Sequence, residues 1–304
     1  QGEIVTELRE VQLVAEGLAF PEGPVAMRDG SVLVAEIGGG SVARVDADGT
    51  VERIAMVRGG PNGAAIGPDG ALYLCNNGGF RNESRIEPCV QRVDLTTGAC
   101  EVLYRECDGV ALGAPNDLVF DATGSFYFTD HVHPGAVYYA TPDGSAITRV
   151  VADRPHPNGV GLSPDSTVLY WAETPTRQVQ RRRLVGPGQV VPAECDVRAL
   201  FRPDGVDRFA VLAGLPGCHE LDSLAIDSAG SVVVGTLVDS GVSEIRDDGA
   251  WTLHRLPAEL ADPLVTNVCF GLTDLTTLYI TCSRTGRLLR ATWHCPGAPL
   301  AFIA

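Results

Sequence analysis

Polar and apolar positions along this chain form a unit that recurs six times. Each unit begins with an oxygen-bearing side chain, continues into a short apolar stretch, turns at Gly, Asp or Pro, and ends in a second apolar stretch. Short β-rich stretches joined by such turns predict antiparallel strands. The six first stretches are EGPVAM, NGAAIG, NDLVFD, NGVGLS, DSLAID and NVCFGL, and their first residues are Glu22, Asn62, Asn116, Asn158, Asp222 and Asn267.

The spacing within the unit is regular. The second apolar stretch ends 14 positions after the first polar residue in four units, as from Glu22 to Glu36, and 15 positions after it in the other two, as from Asn158 to Glu173. Two weaker strands follow each pair. Four strands per unit predict an all-β, six-bladed β-propeller. We expect a single domain over residues 1–304, with blades starting near residues 20, 60, 114, 156, 220 and 265.

The N-terminal stretch predicts how the ring closes. EVQLVAEGLAF precedes Glu22 in the way that the outer strand TVERIAMVRGG precedes Asn62. We therefore expect a strand near residues 10–15 to complete the last blade, which leaves only short, protected sheet edges.

The repeat also predicts a polar site. In a propeller the innermost strands line the central axis, so the six polar residues that begin them should meet at one mouth of the channel. Two carboxylates and four amides form an oxygen-only set, which suits Ca²⁺, Mg²⁺ or Mn²⁺ better than softer metals. Without a cation the two carboxylates would repel, and one would take up a proton. The alternative is that each Asn or Asp only serves its own turn.

The composition and net charge of the chain exclude several classes of function. The chain has 304 residues, 45% hydrophobic and 20% charged, with a net charge of −15. This is the composition of a soluble globular protein, and the negative charge argues against nucleic acid or an anionic membrane as partner. All 23 basic residues are Arg, which excludes a Schiff-base lysine and a Walker-type phosphate loop. An odd number of cysteines, nine, without a C-x-x-C pair favours reduced thiols and a cytoplasmic location.

Four motifs resemble those of the SMP-30/gluconolactonase/luciferin-regenerating-enzyme family: FPEGP, APNDLVFD, PNGVGLS and LDSLAID. The resemblance implies a six-bladed propeller that binds one divalent cation, usually Ca²⁺, with Mg²⁺, Mn²⁺ or Zn²⁺ as alternatives. It implies hydrolysis of a small-molecule lactone as the activity. Carried over by position, the metal ligands would be Glu22, Asn116, Asn158 and Asp222. Asn62 and Asn267 would be rim neighbours that bind metal, water or substrate.

Two positions depart from the family pattern. The animal gluconolactonase has an Arg two residues before the Asn of the third blade, where this chain has Ala114, so a preference for sugar lactones is not implied. Some relatives bind a second Ca²⁺ with an Asp that follows the Glu ligand, and here Gly23 follows Glu22. Asp117 leaves a second metal as an alternative.

Several residues are candidates for catalysis or substrate binding. Asp222 is the predicted general base for an attacking water, alone or together with Asp130, whose alternative role is that of a turn carboxylate. His131 lies just beyond Asp130 and is a candidate for substrate contact or proton transfer, or a solvated loop histidine. Arg81 lies in a loop, GGFRNESRIEP, that could read the substrate.

The sequence therefore predicts a divalent-metal-dependent lactonase. Neither G-x-S-x-G nor H-E-x-x-H occurs in it, which argues against a serine hydrolase of that type or a zincin. One alternative is an organophosphate or aryl ester hydrolase with the same metal site. The other is a non-catalytic propeller that binds proteins.

Overall fold

The computed structural model describes residues 4–79, 84–132, 134–191, 210–271 and 275–303. Six antiparallel sheets radiate as blades of a β-propeller, and the predicted fold is confirmed. Within these ranges the one helical element is a short 3₁₀ turn, Ala258–Leu260. No helix in the same ranges has the length and apolar character needed to cross a membrane.

In each blade the first strand lies at the axis and later strands follow outward. Blade 1 contains Pro21–Ala26, Val32–Glu36, Ser41–Val45 and Val51–Met56. Blade 2 contains Pro61–Ile66, Leu72–Asn76, Cys89–Val93 and Cys100–Tyr104. Blade 3 contains Pro115–Phe120, Phe126–Asp130, Gly135–Ala140 and Ile147–Arg154.

The remaining blades follow the same plan. Blade 4 contains Pro157–Leu162, Val168–Glu173, Gln178–Gly186 and Val211–Gly214, with Gln189–Val190 paired to the end of its third strand. Blade 5 contains Glu220–Ile226, Val232–Leu237, Gly241–Ile245 and Trp251–Arg255. Blade 6 contains Val265–Phe270, Thr277–Cys282 and Arg287–Thr292. A hairpin of Glu106–Cys107 and Val110–Ala111 connects blades 2 and 3.

The N-terminal segment closes the ring as predicted. Arg9–Ala15 pairs antiparallel with Arg287–Thr292 and is the outermost strand of blade 6. A further strand that we did not predict, Val5–Glu7, pairs parallel with the outer strand of blade 5. Leu8, between the two, is buried. One segment therefore joins the last two blades.

The hydrophobic core is divided into six clusters, one at each junction between neighbouring blades. The junction of blades 2 and 3 is rich in aromatic residues, and the rings of Tyr73 and Phe120 meet edge to face with centroids 5.0 Å apart. Eight cysteines of the described ranges are free thiols. Packing on both faces of every blade holds the innermost strands firmly around the axis.

Each innermost strand contains a β-bulge near its start. In blade 3, Pro115 pairs with Asp130 and Leu118 with Phe128, so that one extra residue lies on the inner strand. The same kind of register shift occurs in the other five blades. A bulge bends the strand and redirects a side chain. The predicted axial residue lies within the bulge in blades 2 to 5 and directly beside it in blades 1 and 6.

Glycines beside the bulges allow the inner strands to approach one another. A Cβ on Gly23 would lie 2.2 Å from the carbonyl oxygen of Asn62, and one on Gly159 would lie 2.5 Å from the backbone nitrogen of Leu224. Both contacts are too short for a real Cβ. The Asn-Gly pairs in NGAAIG and NGVGLS thus lie within strands, where the glycine serves close packing rather than a turn.

Candidate metal centre and active site

The six predicted axial residues lie at the bulges and are buried, with exposed fractions between 3% and 8%. Hydrogen bonds link them between blades. Asn267 donates from Nδ2 to Oε2 of Glu22 at 3.1 Å, which joins blade 6 to blade 1. Ser223, next to Asp222, donates from its hydroxyl to Oδ1 of Asn158 at 3.3 Å, which joins blade 5 to blade 4. We call these six residues the axial ring.

The two carboxyl groups of the axial ring, those of Glu22 and Asp222, have raised pKa values. Burial raises the pKa of Glu22 to about 7, although the hydrogen bond from Asn267 opposes the shift. Burial also raises the pKa of Asp222 well above its ordinary value, and the nearby charge of Glu22 raises it further. Both carboxyls therefore resist ionisation where no positive charge is present.

Asp117 adds a third carboxyl to this region. Its oxygens accept from the backbone nitrogens of Leu118 at 2.9 Å and Val160 at 3.4 Å. Burial raises the pKa of Asp117 to about 7, and the charge of Glu22 adds to the shift. From the sequence, Asp117 is only an alternative ligand for a second metal. The detectable signal was its position directly after the ring residue Asn116.

The ring has the properties expected of a cation site. Oδ1 of Asn116 is buried and has no hydrogen-bond partner. An unpaired buried acceptor together with mutually repelling carboxyls fits an oxygen-ligated divalent cation. No group of three His, Cys, Asp or Glu side chains in the described ranges is arranged as a metal site by itself. Amide oxygens therefore belong to any ligand set drawn from this ring.

Asp130 has a defined structural contact. Its two carboxylate oxygens accept from the backbone nitrogens of Gly113 and Ala114 at 2.7 and 2.6 Å. Burial raises the pKa of Asp130. The equivalent residue of blade 1, Glu36, accepts from the backbone nitrogen of Ala19 at 2.8 Å. These side chains fix the loops that lead into the inner strands, which is the turn role that the sequence left open for Asp130.

His131 is half-buried and its ring centroid lies 4.9 Å from that of His156. Burial lowers the pKa of His131 to about 4, and the neighbouring His156 contributes to the shift, so its imidazole is neutral at pH 7. Nδ1 of His131 has no hydrogen-bond partner. Another predicted substrate contact, Arg81, lies outside the described residues.

Six blades around a ring of buried carboxyls and amides define a propeller with a candidate cation site on its axis. A family model described as the SMP-30/Gluconolactonase/LRE-like region matches residues 20–284 of this chain. The chain belongs to the SMP-30/gluconolactonase/LRE-like family.

Named relatives agree with this family. The chain is 33% identical over 183 residues to lactonase drp35 of Staphylococcus haemolyticus, a match that covers 58% of this chain and 54% of that protein. It is 25% identical over 289 residues to a gluconolactonase of Zymomonas mobilis, covering 86% of this chain and 76% of that protein. The chain thus spans about half the length of the drp35 relatives that it matches.

Solved structures share the fold. A gluconolactonase from Xanthomonas campestris superposes with a TM-score of 0.74 at 22% identity, covering 94% of this chain and 89% of that one. A calcium-binding regucalcin from Agrobacterium tumefaciens superposes with a TM-score of 0.78 at 16% identity, covering 99% and 100%.

Proposed function

We propose that the protein is a divalent-metal-dependent hydrolase that opens a small-molecule lactone. The observation that carries the proposal is the axial ring, which combines buried carboxyls of raised pKa, Glu22 and Asp222, with a buried amide oxygen on Asn116 that has no hydrogen-bond partner. Relatives named lactonase and gluconolactonase support the same reaction class.

In this proposal Glu22, Asn116, Asn158 and Asp222 hold one divalent cation. Ca²⁺ is the first candidate, because every donor is an oxygen and a calcium-binding regucalcin shares the fold. A cation bound there would polarise the lactone carbonyl and offset the negative charge that develops on its oxygen.

The chain's own residues handle the proton and the substrate. Asp222 accepts a proton from the attacking water at a carboxylate oxygen, while the water oxygen forms a bond to the carbonyl carbon. When the ring ester bond breaks, Asp222 returns the proton to the departing alkoxide, which becomes the hydroxyl of the hydroxy acid. In the cation-bound site Asp222 would be ionised, which it must be to accept a proton. Asp130 already uses both oxygens on the backbone.

Asn62 and Asn267 are the proposed substrate contacts at the ring. Val268 donates its backbone N–H to Oδ1 of Asn267 at 2.8 Å, and Nδ2 of the same amide faces Glu22, which fixes its orientation. Near blade 3, Gly113, the residue before Ala114, lies beside the exposed Val132. We therefore expect lactones with apolar substituents to react faster than polyhydroxylated sugar lactones.

Metal removal tests the proposal directly. After EDTA treatment, hydrolysis of a panel of alkyl lactones, sugar lactones, aryl esters and organophosphates is followed by acid release, with Ca²⁺, Mg²⁺, Mn²⁺ and Zn²⁺ restored singly. We expect lactone hydrolysis to vanish with EDTA and to return with at least one cation. Activity that survives complete metal removal would contradict the proposal. Activity confined to aryl esters or organophosphates would show that the substrate is not a lactone.

Asp222→Asn tests the proposed base. Loss of a general base typically costs 10²- to 10⁴-fold in rate, and we expect a loss of at least about 100-fold. The matched control is Asp227→Asn, because Asp227 is buried at the other end of the same inner strand and accepts from the backbone nitrogens of Ala229 and Ser231. Near-normal turnover by Asp222→Asn, with Asp227→Asn also active, would remove Asp222 from the mechanism.

A further inference from the structure

A cavity of about 300 Å³ lies on the propeller axis, on the far side of the axial ring from the mouth. The second halves of all six inner strands line it. Half-buried apolar side chains from four different blades face it, namely Val119, Leu162, Ala225 and Cys269. Asp117 and Asn267 lie at the end next to the ring. The proposed lactone chemistry takes place at the mouth and does not use this space.

Away from Asp117 and Asn267, the inner-strand walls offer little to an ion or to ordered water. Burial raises the pKa of Cys269 to about 12, so its thiol stays protonated and behaves as a small apolar group. Water in an enclosed space needs two to four polar partners, and the wall residues of the inner strands are mostly aliphatic. Cavities of this size and lining are typical of sites for small organic ligands.

The chain segment after the last strand covers the far end of the cavity. Its start is held by backbone hydrogen bonds from Gly297 to the carbonyl of Leu275 at 2.7 Å and from Ala298 to that of Ile226 at 2.9 Å. Four residues further on, the ring of Phe302 meets Phe120 edge to face with centroids 5.8 Å apart. Residues 298–302 all line the cavity between these two attachments.

At one side this cover is held by side-chain packing. In the described part of the segment the last backbone hydrogen bond is the one from Ala298, and beyond it Phe302 packs against the core clusters between blades 1 and 2 and between blades 2 and 3. Leu300 is 55% exposed and forms no part of a buried cluster. Segments with few buried contacts and few backbone hydrogen bonds open at low free energy.

We propose that the axial cavity is a binding site for a small, uncharged, largely apolar molecule that enters from the face opposite the ring, past residues 298–302. The ligand fills the space between the aliphatic walls, and a single hydrogen-bonding group on it would face Asp117 and Asn267. These two residues border both the cavity and the axial ring. A ligand in the cavity therefore contacts residues that also border the proposed cation site.

The uncharged dye N-phenyl-1-naphthylamine, whose fluorescence rises in apolar surroundings, tests the site in the whole protein. We expect saturable binding of one dye per chain in the presence of EDTA. Ala225→Leu and Val119→Phe fill the cavity from two different blades, and each should weaken binding at least about tenfold. Ala111→Leu adds the same atoms at an exposed position and should leave binding unchanged.

Circular dichroism identifies any variant that fails to fold, and either filling variant suffices if the other is lost. Absence of saturable binding, or equal binding by wild type and a folded filling variant, would overturn the proposal, since the dye would then bind elsewhere or not at all. Phe302→Ala tests the entrance. We expect dye association in stopped flow to accelerate several-fold with a smaller change in affinity, and an unchanged association rate would exclude entry past Phe302.

Discussion

Two buried asparagines of this molecule have opposite hydrogen-bonding states. Oδ1 of Asn76 accepts from the backbone nitrogens of Gly60 and Gly78 at 2.9 and 3.0 Å, and its Nδ2 donates to the carbonyl of Arg58 at 2.9 Å. Oδ1 of Asn116 has no partner. A buried acceptor without a partner costs about 1–3 kcal/mol. Asn76 therefore stabilises the metal-free fold, whereas Asn116 is suited to a ligand.

Replacing each asparagine with leucine separates these roles. We expect Asn116→Leu to leave the free energy of unfolding in EDTA unchanged or to raise it by up to about 1 kcal/mol, because an unsatisfied group is removed. Asn76→Leu should lower it by about 3 kcal/mol, because several backbone groups lose their partners. Urea unfolding in EDTA measures both. Calorimetric titration should show Ca²⁺ affinity reduced at least about tenfold for Asn116→Leu. Equal destabilisation by the two substitutions would contradict this reasoning.

The raised carboxyl pKa values predict a pH dependence with a definite sign. Burial raises the pKa of Glu22 from 4.5 to about 7 and that of Asp117 from 3.8 to about 7. Between about pH 4 and 7 the folded state holds protons that the unfolded state has released. The metal-free protein should therefore lose stability as the pH rises through this interval, by about 3 kcal/mol for one such carboxyl.

Cation binding reverses that penalty, because it needs the ionised carboxylates. The melting temperature in EDTA should fall from pH 5 to pH 7, while the increase on adding Ca²⁺ should grow over the same interval. Thermal unfolding at several pH values with and without Ca²⁺ checks both trends. A calcium-induced increase that stays constant from pH 5 to pH 8 would contradict the assignment of these carboxyls to a cation site.

At the scale of the strand, the regular alternation of side chains explains both what could be predicted and what could not. The repeat spacing identified the six inner strands and their first polar residues. Strict alternation, however, points a residue next to an axial one away from the axis. The bulge in blade 3 breaks that alternation, which is why Asp117 joins the buried carboxyls around Glu22. A bulge depends on pairing with the next strand, which one inner segment does not reveal.

The role of Asp130 could likewise be predicted only in part from the sequence. Its position at the end of a second strand correctly places it on the side of Asn116, since Pro115 pairs with Asp130. Whether its oxygens face the channel or the backbone depends on the path of the loop through Gly113 and Ala114. Loop paths follow from three-dimensional packing rather than from strand periodicity, so the sequence left two roles open.

Gly159→Ala tests the close packing of inner strands. A Cβ at Gly159 would lie 2.5 Å from the backbone nitrogen of Leu224 and 2.7 Å from Cα of Ser223, and backbone atoms cannot move aside cheaply. We expect a loss of stability of about 3 kcal/mol and weaker Ca²⁺ binding, because blades 4 and 5 are pushed apart beside Asn158.

The matched control is Gly186→Ala. Gly186 also lies in a strand, and the nearest atom to its added Cβ would be 3.7 Å away. Denaturant unfolding should show little change for this variant. If Gly159→Ala and Gly186→Ala were equally stable, the inner strands would tolerate more added volume than these distances allow, and the prediction would be wrong.

For the whole molecule, the N-terminal segment is what makes the propeller a closed ring. Arg9–Ala15 pairs with Arg287–Thr292, the third strand of blade 6, where Leu288 and Leu289 are fully buried. Without it, that strand would be a long unpaired edge between the first and last blades, and such edges promote aggregation. Val5–Glu7 adds only three residues of parallel pairing to blade 5.

Two truncations distinguish these contributions. Removal of residues 1–7 should lower the melting temperature by a few degrees without aggregation, whereas removal of residues 1–15 should cost at least about 5 kcal/mol through lost ladder hydrogen bonds and exposed leucines. Light scattering and thermal unfolding measure the difference. A synthetic peptide of residues 8–18 should restore cooperative unfolding to the longer truncation, because it can re-form the outer strand of blade 6 in trans. If the longer truncation instead stayed free of aggregates and as stable as the shorter one, blade 6 would not need its fourth strand, and closure by this segment would not explain the stability of the ring.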